Sequence, residues 1–213
     1  MSEADQRVFA VLGRETCYRG FFRLEKVRLR HSLFRGGMSS VLTREIVERA
    51  DVAAVLLYDP DHDKVVMIEQ FRVGAVADPQ GPWMLEIVAG LIEPGEAPEQ
   101  VARREALEEA GCVVGAMVPI TTFYATPAKS SEKSYLFCGR IDSSIAGGVH
   151  GLPHEGEDIR VLAMASTEAL DLLEAGRINS AWPMIALMWL ATHRSRLRRD
   201  WLRAATRTDE EET

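Results

Sequence analysis

Glu96, Glu105, Glu108 and Glu109, with Arg104 among them and Gly90 and Gly111 at either end, are the residues whose types and spacing could do chemistry. The carboxylates flank one turn and line one helix. Glu105, Glu108 and Glu109 crowd together there. Glu105 and Glu109 form a like-charge i, i+4 pair, which destabilises an isolated helix by about 0.2–0.5 kcal/mol. Arg104 and Glu108 form an opposite-charge i, i+4 pair that returns part of this cost. Such a cluster reads either as a solvated acidic helix face or as a site for a cation. All-oxygen ligation suits Mg²⁺ or Mn²⁺ rather than zinc. Mg²⁺ keeps several waters and also touches substrate phosphates, so a bound ion would suit chemistry on a phosphate group.

The elements that must position these acids are legible around them. Gly90 and Gly95 bracket a loop in which Pro94-Gly95 reads as a turn. Pro98 fits the first turn of a helix, where its missing N–H costs nothing. Gly111 fits the C-terminal cap. The helix is therefore expected over 98–110. At about 100° per residue, Glu105, Glu108 and Glu109 fall within an arc of roughly 100°. Ala102, Ala106, Ala110 and Leu107 are expected on the opposite side, where small residues let a helix lie close to a sheet.

Written as GX5EX7REUXEEXGU, the stretch holds every fixed letter: Gly90, Glu96, Arg104, Glu105, Glu108, Glu109 and Gly111. It resembles the signature box of Nudix hydrolases, which cleave nucleoside diphosphates linked to another group. Ala106 stands where the box prefers a bulky aliphatic residue. The resemblance implies an α/β fold, the Nudix αβα sandwich with a mixed sheet, and a divalent-metal cofactor, Mg²⁺ with Mn²⁺ as the other candidate.

The remaining chain is compatible with that fold. Strands are expected at 8–12, 22–30 and 38–47, with Gly36-Gly37 as a hairpin turn. They form a small antiparallel N-terminal sheet, domain 1–50. Further strands are expected at 52–58, 65–68, 83–89, 113–124, 134–139 and 159–164, and helices at 166–175 and 180–204. These make up domain 51–205, followed by a frayed acidic tail, 206–213. Strands around a helix-bearing box, with a long closing helix, read as a sheet between helices.

Composition excludes several functions. A net charge of −7 argues against non-specific nucleic-acid binding, and the basic cluster 194–203 reads as solvated helix surface. No apolar run approaches a membrane span of about 20 residues, and the N-terminus lacks a signal-peptide layout. Cys17, Cys112 and Cys138 lack metal or redox spacing and read as small core residues in a reducing compartment. The expected location is cytoplasmic. No GxxxxGK[ST] occurs, which excludes a P-loop kinase.

A second set of residues points to a branch of the family. Pro127 lies 16 residues beyond Gly111. This proline, together with residues 18–22, 68–72, 126–133 and 150–161, resembles bacterial ADP-ribose pyrophosphatases. The resemblance implies hydrolysis of ADP-ribose to AMP and ribose 5-phosphate. Glu105 and Glu109 would be principal metal ligands beside the Ala89 carbonyl, with Glu108 and Glu157 as further ligands. Glu96 and Arg104 would support them. Glu155 aligns with the general base on a mobile loop, 146–158, and His154 is an alternative, since an imidazole can exchange a proton near neutral pH. Phe21 and Phe22 would stack near adenine, with strand alternation allowing only one of them to point inward. Arg44, Glu45, Arg49 and Arg72 would contact adenosine and phosphates, Arg72 through its fork. Leu91, Thr126, Pro127, Ala128 and Glu132 would line the ribose side. Ala128-Lys129 replaces the Gly-Gly of many relatives, and Lys129 is expected to face solvent. The branch also implies a two-fold homodimer whose sites draw on both chains. Alternatives are another nucleoside diphosphate sugar such as GDP-mannose, or a non-catalytic Nudix-fold ligand sensor, which would normally have lost a box glutamate.

Overall fold

The computed structural model describes residues 7–211, with side chains described for residues 7–203 except residue 155. Its contacts divide the described residues into two units, residues 7–51 with 124–133, and residues 52–123 with 134–211.

The first unit is a three-stranded antiparallel sheet of β1 (Phe9–Arg19), β2 (Arg23–His31) and β3 (Leu42–Glu48), in that order. The turn after β2 places Gly36 and Gly37 at φ 88° and 76°, which glycine adopts without a Cβ clash. All of β1 is exposed, and it is longer than the expected 8–12. The segment 124–133 joins this unit because Val47 N–H donates to the Lys129 carbonyl and Ser131 N–H to the Val47 carbonyl. Sequence proximity had assigned that segment to the following domain.

The second unit is built on β4 (Val52–Asp59), buried along its whole length. Its apolar run fits a strand covered on both faces. The other elements are β5 (Lys64–Phe71), β6 (Trp83–Glu86), β7 (Val88–Leu91), α1 (Pro98–Ala110), β8 (Met117–Phe123), β9 (Ser134–Arg140), β10 (Gly148–His150), β11 (Ile159–Ala165), α2 (Ser166–Glu174) and α3 (Ala181–Glu211). The sheet order is β10-β11-β5-β4-β9-β8, with β6 on β5 and β7 on β4; only β4–β9 is parallel. One core lies under α1 and contains Val55, Val66, Ile68, Val101 and Ala106. The other lies under α2 and α3 and contains Leu56, Met67, Ala169, Leu187 and Leu190. The result is a mixed sheet between two helical layers. No helix among the described residues is long and apolar enough to cross a membrane.

The centre of the sheet is split in a way that shapes the site. β4 pairs with β5 only at Leu57–Asp59 and with β7 over Val52–Val55. β6 pairs with β5 over Ile68–Phe71. The expected single strand 83–89 is thus two strands, changing partner at Ile87. This change of partner delivers Ala89 and Gly90 to the middle of the sheet.

Other expectations are corrected. β8 begins at Met117, not residue 113, because the Val114 and Gly115 carbonyls accept from Arg103 Nη1 at 2.6 and 2.8 Å instead of from a strand. The expected loop 146–158 contains β10, paired with β11, and a 3₁₀ turn over Pro153–Glu155. α3 continues to Glu211, so 206–211 is helical; residues 212 and 213 of the expected tail lie outside the described residues. Cys17 is exposed on β1, whereas Cys112 and Cys138 are buried as expected.

Candidate active site

α1 is held at both ends as its sequence demands. Pro98 starts it, and Gly111 closes it in the left-handed conformation at φ 63°. Arg103 ties its outer side to Glu99 at 2.9 Å as well as to the Val114 and Gly115 carbonyls.

The helix does not separate acids from alanines as expected. Glu109 is only 3 % exposed and lies on the buried face with Ala102 and Ala106. Leu107 is 56 % exposed. At about 100° per residue, Glu109 stands roughly 20° from Ala102, while Leu107 lies about 140° away. The acids therefore begin at the edge of the sheet-facing stripe and run round one flank.

β7 receives that flank. The Ala89 amide donates to Glu109 Oε2 at 3.1 Å. A Cβ on Gly90 would run into the Glu105 carboxylate, so any side chain there displaces that acid. Arg104 binds Glu105 at 2.8 Å and Glu108 at 2.9 Å, with Glu96 at 3.5 Å. Glu96 also accepts from the Glu93 amide at 3.0 Å, closing the loop before the helix.

Burial and neighbouring charge strain the acids. Burial pushes the Glu109 carboxyl up to about 8; Glu105 and Glu157 push the same way, against the Ala89 hydrogen bond and Arg72. Burial likewise raises Glu105, opposed by Arg104 and reinforced by Glu108 and Glu157. The field of Glu157 is felt at both acids. Its Oε2 accepts from the Leu152 amide at 2.9 Å. The Gly151 amide in turn donates to the Glu108 carbonyl at 3.4 Å. Glu105, Glu108, Glu109 and Glu157 are oxygen-bearing side chains in one electrostatic neighbourhood that is short of positive charge. This set fits a hard divalent cation.

Arg72 lies just past β5, and its Nε donates to Glu86 Oε2 at 2.7 Å. Leu91 ends β7, 37 % exposed. His154 is exposed, and the Glu155 side chain lies outside the described residues.

The other predicted binding residues belong to the first unit. Phe21 and Phe22 lie in the turn between β1 and β2, not in a strand, so alternation does not apply. Both are exposed, Phe21 at 84 %, with rings 4.8 Å apart and edge-on. The Arg49 guanidinium lies 5.2 Å from the Phe22 ring centre. Arg49 Nε approaches Glu132 Oε2 at 2.6 Å. Neither atom has an aligned hydrogen bond among the described residues, so the contact is an ion pair. Arg44 and Glu45 are neighbours on β3 and point to opposite faces of the sheet. Thr126, Pro127, Ala128 and Lys129 form an exposed turn, closed by the Lys129 and Ser130 amides on the Thr126 carbonyl.

Among the described residues, the one group of ligand-type side chains whose ligand atoms all lie within 4.8 Å of one another is Asp59, His62 and Asp142, in the second unit. It acts as a loop clasp. Asp59 accepts from the Asp61 and His62 amides, the His62 ring, and the Ser143 amide and hydroxyl. Burial pushes the Asp59 carboxyl up, but these donors hold it well below the usual range.

Sequence reasoning missed Glu86 and the Arg103 clamp. A lone acid inside the apolar run 83–89 was the available signal for Glu86.

The chain is similar to known proteins. The NUDIX domain family model matches residues 48–186. The chain is 47 % identical over 191 residues to the ADP-ribose pyrophosphatase of Escherichia coli K12, covering 90 % of this chain and 91 % of that protein. It is 39 % identical over 202 residues to the Haemophilus influenzae ADP-ribose pyrophosphatase, covering 93 % of each. The GDP-mannose pyrophosphatase of Salmonella typhimurium is 34 % identical over 154 residues, 70 % of this chain and 78 % of that one. A crystal structure of an ADP compounds hydrolase superposes with a TM-score of 0.65 at 23 % identity, covering 92 % of this chain and 95 % of that chain, and supports the fold. The matched domain model, the relatives and an intact acid box on a closely packed α1 place the chain in the Nudix family of divalent-metal hydrolases.

Proposed function

We propose that this protein hydrolyses the pyrophosphate bond of ADP-ribose to AMP and ribose 5-phosphate with Mg²⁺, and that Mn²⁺ substitutes. One observation carries the choice of substrate. Similarity to ADP-ribose pyrophosphatases runs over 90 % of the chain at 47 % identity, whereas similarity to GDP-mannose pyrophosphatases covers 70 % at 34 %. The sensor alternative has no support from the box, which retains Glu105, Glu108 and Glu109.

The metal, when bound, neutralises the diphosphate and lowers the pKa of the attacking water. Glu105, Glu109 and the Ala89 carbonyl would hold it, with Glu108 and Glu157 supporting. Arg104 and Glu96 hold those acids in place. Arg72 binds phosphate oxygens through its terminal nitrogens. Glu155 takes the proton of the water as its oxygen bonds to phosphorus in line. The bridging P–O bond breaks and its electrons leave with the departing phosphate. Phe21 or Phe22 stacks on adenine, Arg44, Glu45 and Arg49 contact the adenosine side, and Leu91, Thr126, Pro127, Ala128 and Glu132 flank the ribose.

We read the protein as a cytoplasmic homodimer whose sites take residues from both chains. A three-stranded sheet with a fully exposed β1 is a poor candidate to stand alone. The deciding experiment is product analysis after incubation with ADP-ribose, with and without Mg²⁺, beside GDP-mannose, NADH and diadenosine polyphosphates. AMP with ribose 5-phosphate, formed only with metal, is the expected result. Faster cleavage of GDP-mannose would replace the reading.

A further inference from the structure

β6 supplies a carboxylate that the signature box does not contain. Glu86 is 5 % exposed and ends β6. It is in register with Ile68 of β5, so the two share the face under α1. Arg72 continues the β5–β6 ladder through its amide on the Pro82 carbonyl, and alternation from Ile68 puts it on that same face. The side chains meet there, Arg72 Nε on Glu86 Oε2 at 2.7 Å.

Which edge of the guanidinium is used matters. A carboxylate on Nε fixes the plane of the group and leaves Nη1 and Nη2, the two-pronged edge that matches a pair of phosphate oxygens. The geometry points to Glu86 as a positioning residue that aims the Arg72 fork at the diphosphate, distinct from the acids that hold the metal. This inference rests on the proposed phosphate role of Arg72.

A double-mutant cycle tests it. Glu86→Gln, Arg72→Ala and the double variant are compared by the KM and kcat for ADP-ribose and by calorimetric affinity for inorganic pyrophosphate with Mn²⁺. Mn²⁺ affinity alone and the thermal midpoint are measured beside them. Glu86→Gln is expected to weaken pyrophosphate binding and raise KM about tenfold, the scale of one charge-assisted contact. Mn²⁺ affinity stays within about twofold, and the same change on Arg72→Ala adds less than about twofold, because the pair acts as a unit. Arg72→Lys, which keeps the charge but lacks the fork, is not expected to restore affinity. Equal losses from Glu86→Gln in both backgrounds, unchanged pyrophosphate affinity, or a loss of Mn²⁺ affinity would each overturn it. Should Glu86→Gln fail to fold, Glu86→Asp takes its place and the same coupling decides. Wild-type inactivity on ADP-ribose would sink the functional reading alone, since the pyrophosphate cycle still reads the Arg72–Glu86 coupling.

Discussion

The Ala89 amide and the Glu109 carboxylate are joined at 3.1 Å across the seam between β7 and α1, and Glu109 is almost fully enclosed. The bond supports the carboxylate without compensating its burial, which leaves this acid the most strained group of the site.

Stability without metal should therefore depend on pH in a stated direction. The Glu109 carboxyl, at about 8 against an ordinary 4.5, keeps in the folded state a proton that the unfolded chain releases. Its contribution is fully present below about pH 4.5 and is lost as pH rises through about 8. The metal-free Glu109→Gln variant should then be more stable than wild type at pH 8, by on the order of a few kcal/mol. The difference should vanish below about pH 4.5. Mg²⁺ should raise the wild-type midpoint at pH 8 and leave the variant unmoved. Thermal denaturation with and without chelator measures all three; a wild-type protein more stable at pH 8 than the variant would refute the assignment.

Gly90 is expected to tolerate no side chain. In Gly90→Ala the new methyl displaces the Glu105 carboxylate. Loss of ligand positioning of this kind costs about 10–100-fold in metal affinity. Titration with Mn²⁺, followed by paramagnetic resonance, should show that loss, and raised metal should restore part of the turnover.

The loop acid should behave differently from the helix acids. Glu155→Gln is expected to lower kcat by about 10²–10⁴, as loss of a general base does. Its KM and Mn²⁺ affinity should stay near wild type, while Glu105→Gln loses Mn²⁺ affinity as well. Wild-type turnover in Glu155→Gln would remove that residue from the mechanism and leave His154 to be tested.

Why parts of this site could be read from sequence, and others not, follows from the range of the interactions. α1 was legible to both ends because Pro98 and Gly111 act locally, through a missing N–H and a permitted φ. The facing of Leu107 was misjudged because three alanines were taken to define the buried stripe, whereas Glu109 lies inside it. The break at Ile87 is invisible in an apolar run, since it arises from a change of partner between β5 and β4. Glu86 draws its meaning from Arg72, 14 residues away, and Glu132 from Arg49, 83 residues away. Pairings at such distances are fixed by sheet register, which no local pattern records.

The Arg49–Glu132 pair should couple stability to binding in the first unit. Glu132 is 8 % exposed, and burial raises its carboxyl against the pull of Arg49. Removing one partner strands the other, a change that costs about 3–5 kcal/mol for fully buried pairs. Glu132→Ala is expected to cost less than that, because Arg49 is partly exposed. Arg49→Ala/Glu132→Ala should recover part of the loss. Urea titration of the three variants reads the coupling, and additive losses would show that the pair is incidental.

β1 offers the last test, because nothing among the described residues covers it. Val8, Phe9, Val11, Leu12 and Tyr18 are all exposed on or beside this strand. A long edge strand with apolar side chains invites pairing unless a partner takes it. The proposed homodimer supplies that partner. Phe9→Glu/Val11→Glu places like charges where two copies would meet. It should shift the protein from dimer to monomer in sedimentation velocity. Loss of ADP-ribose turnover should accompany the shift, with Mn²⁺ affinity kept, because the acids of α1 belong to the other unit. A wild-type protein that sediments as a monomer at working concentration yet turns over at full rate would show that one chain suffices. The exposed face of β1 would then need another explanation.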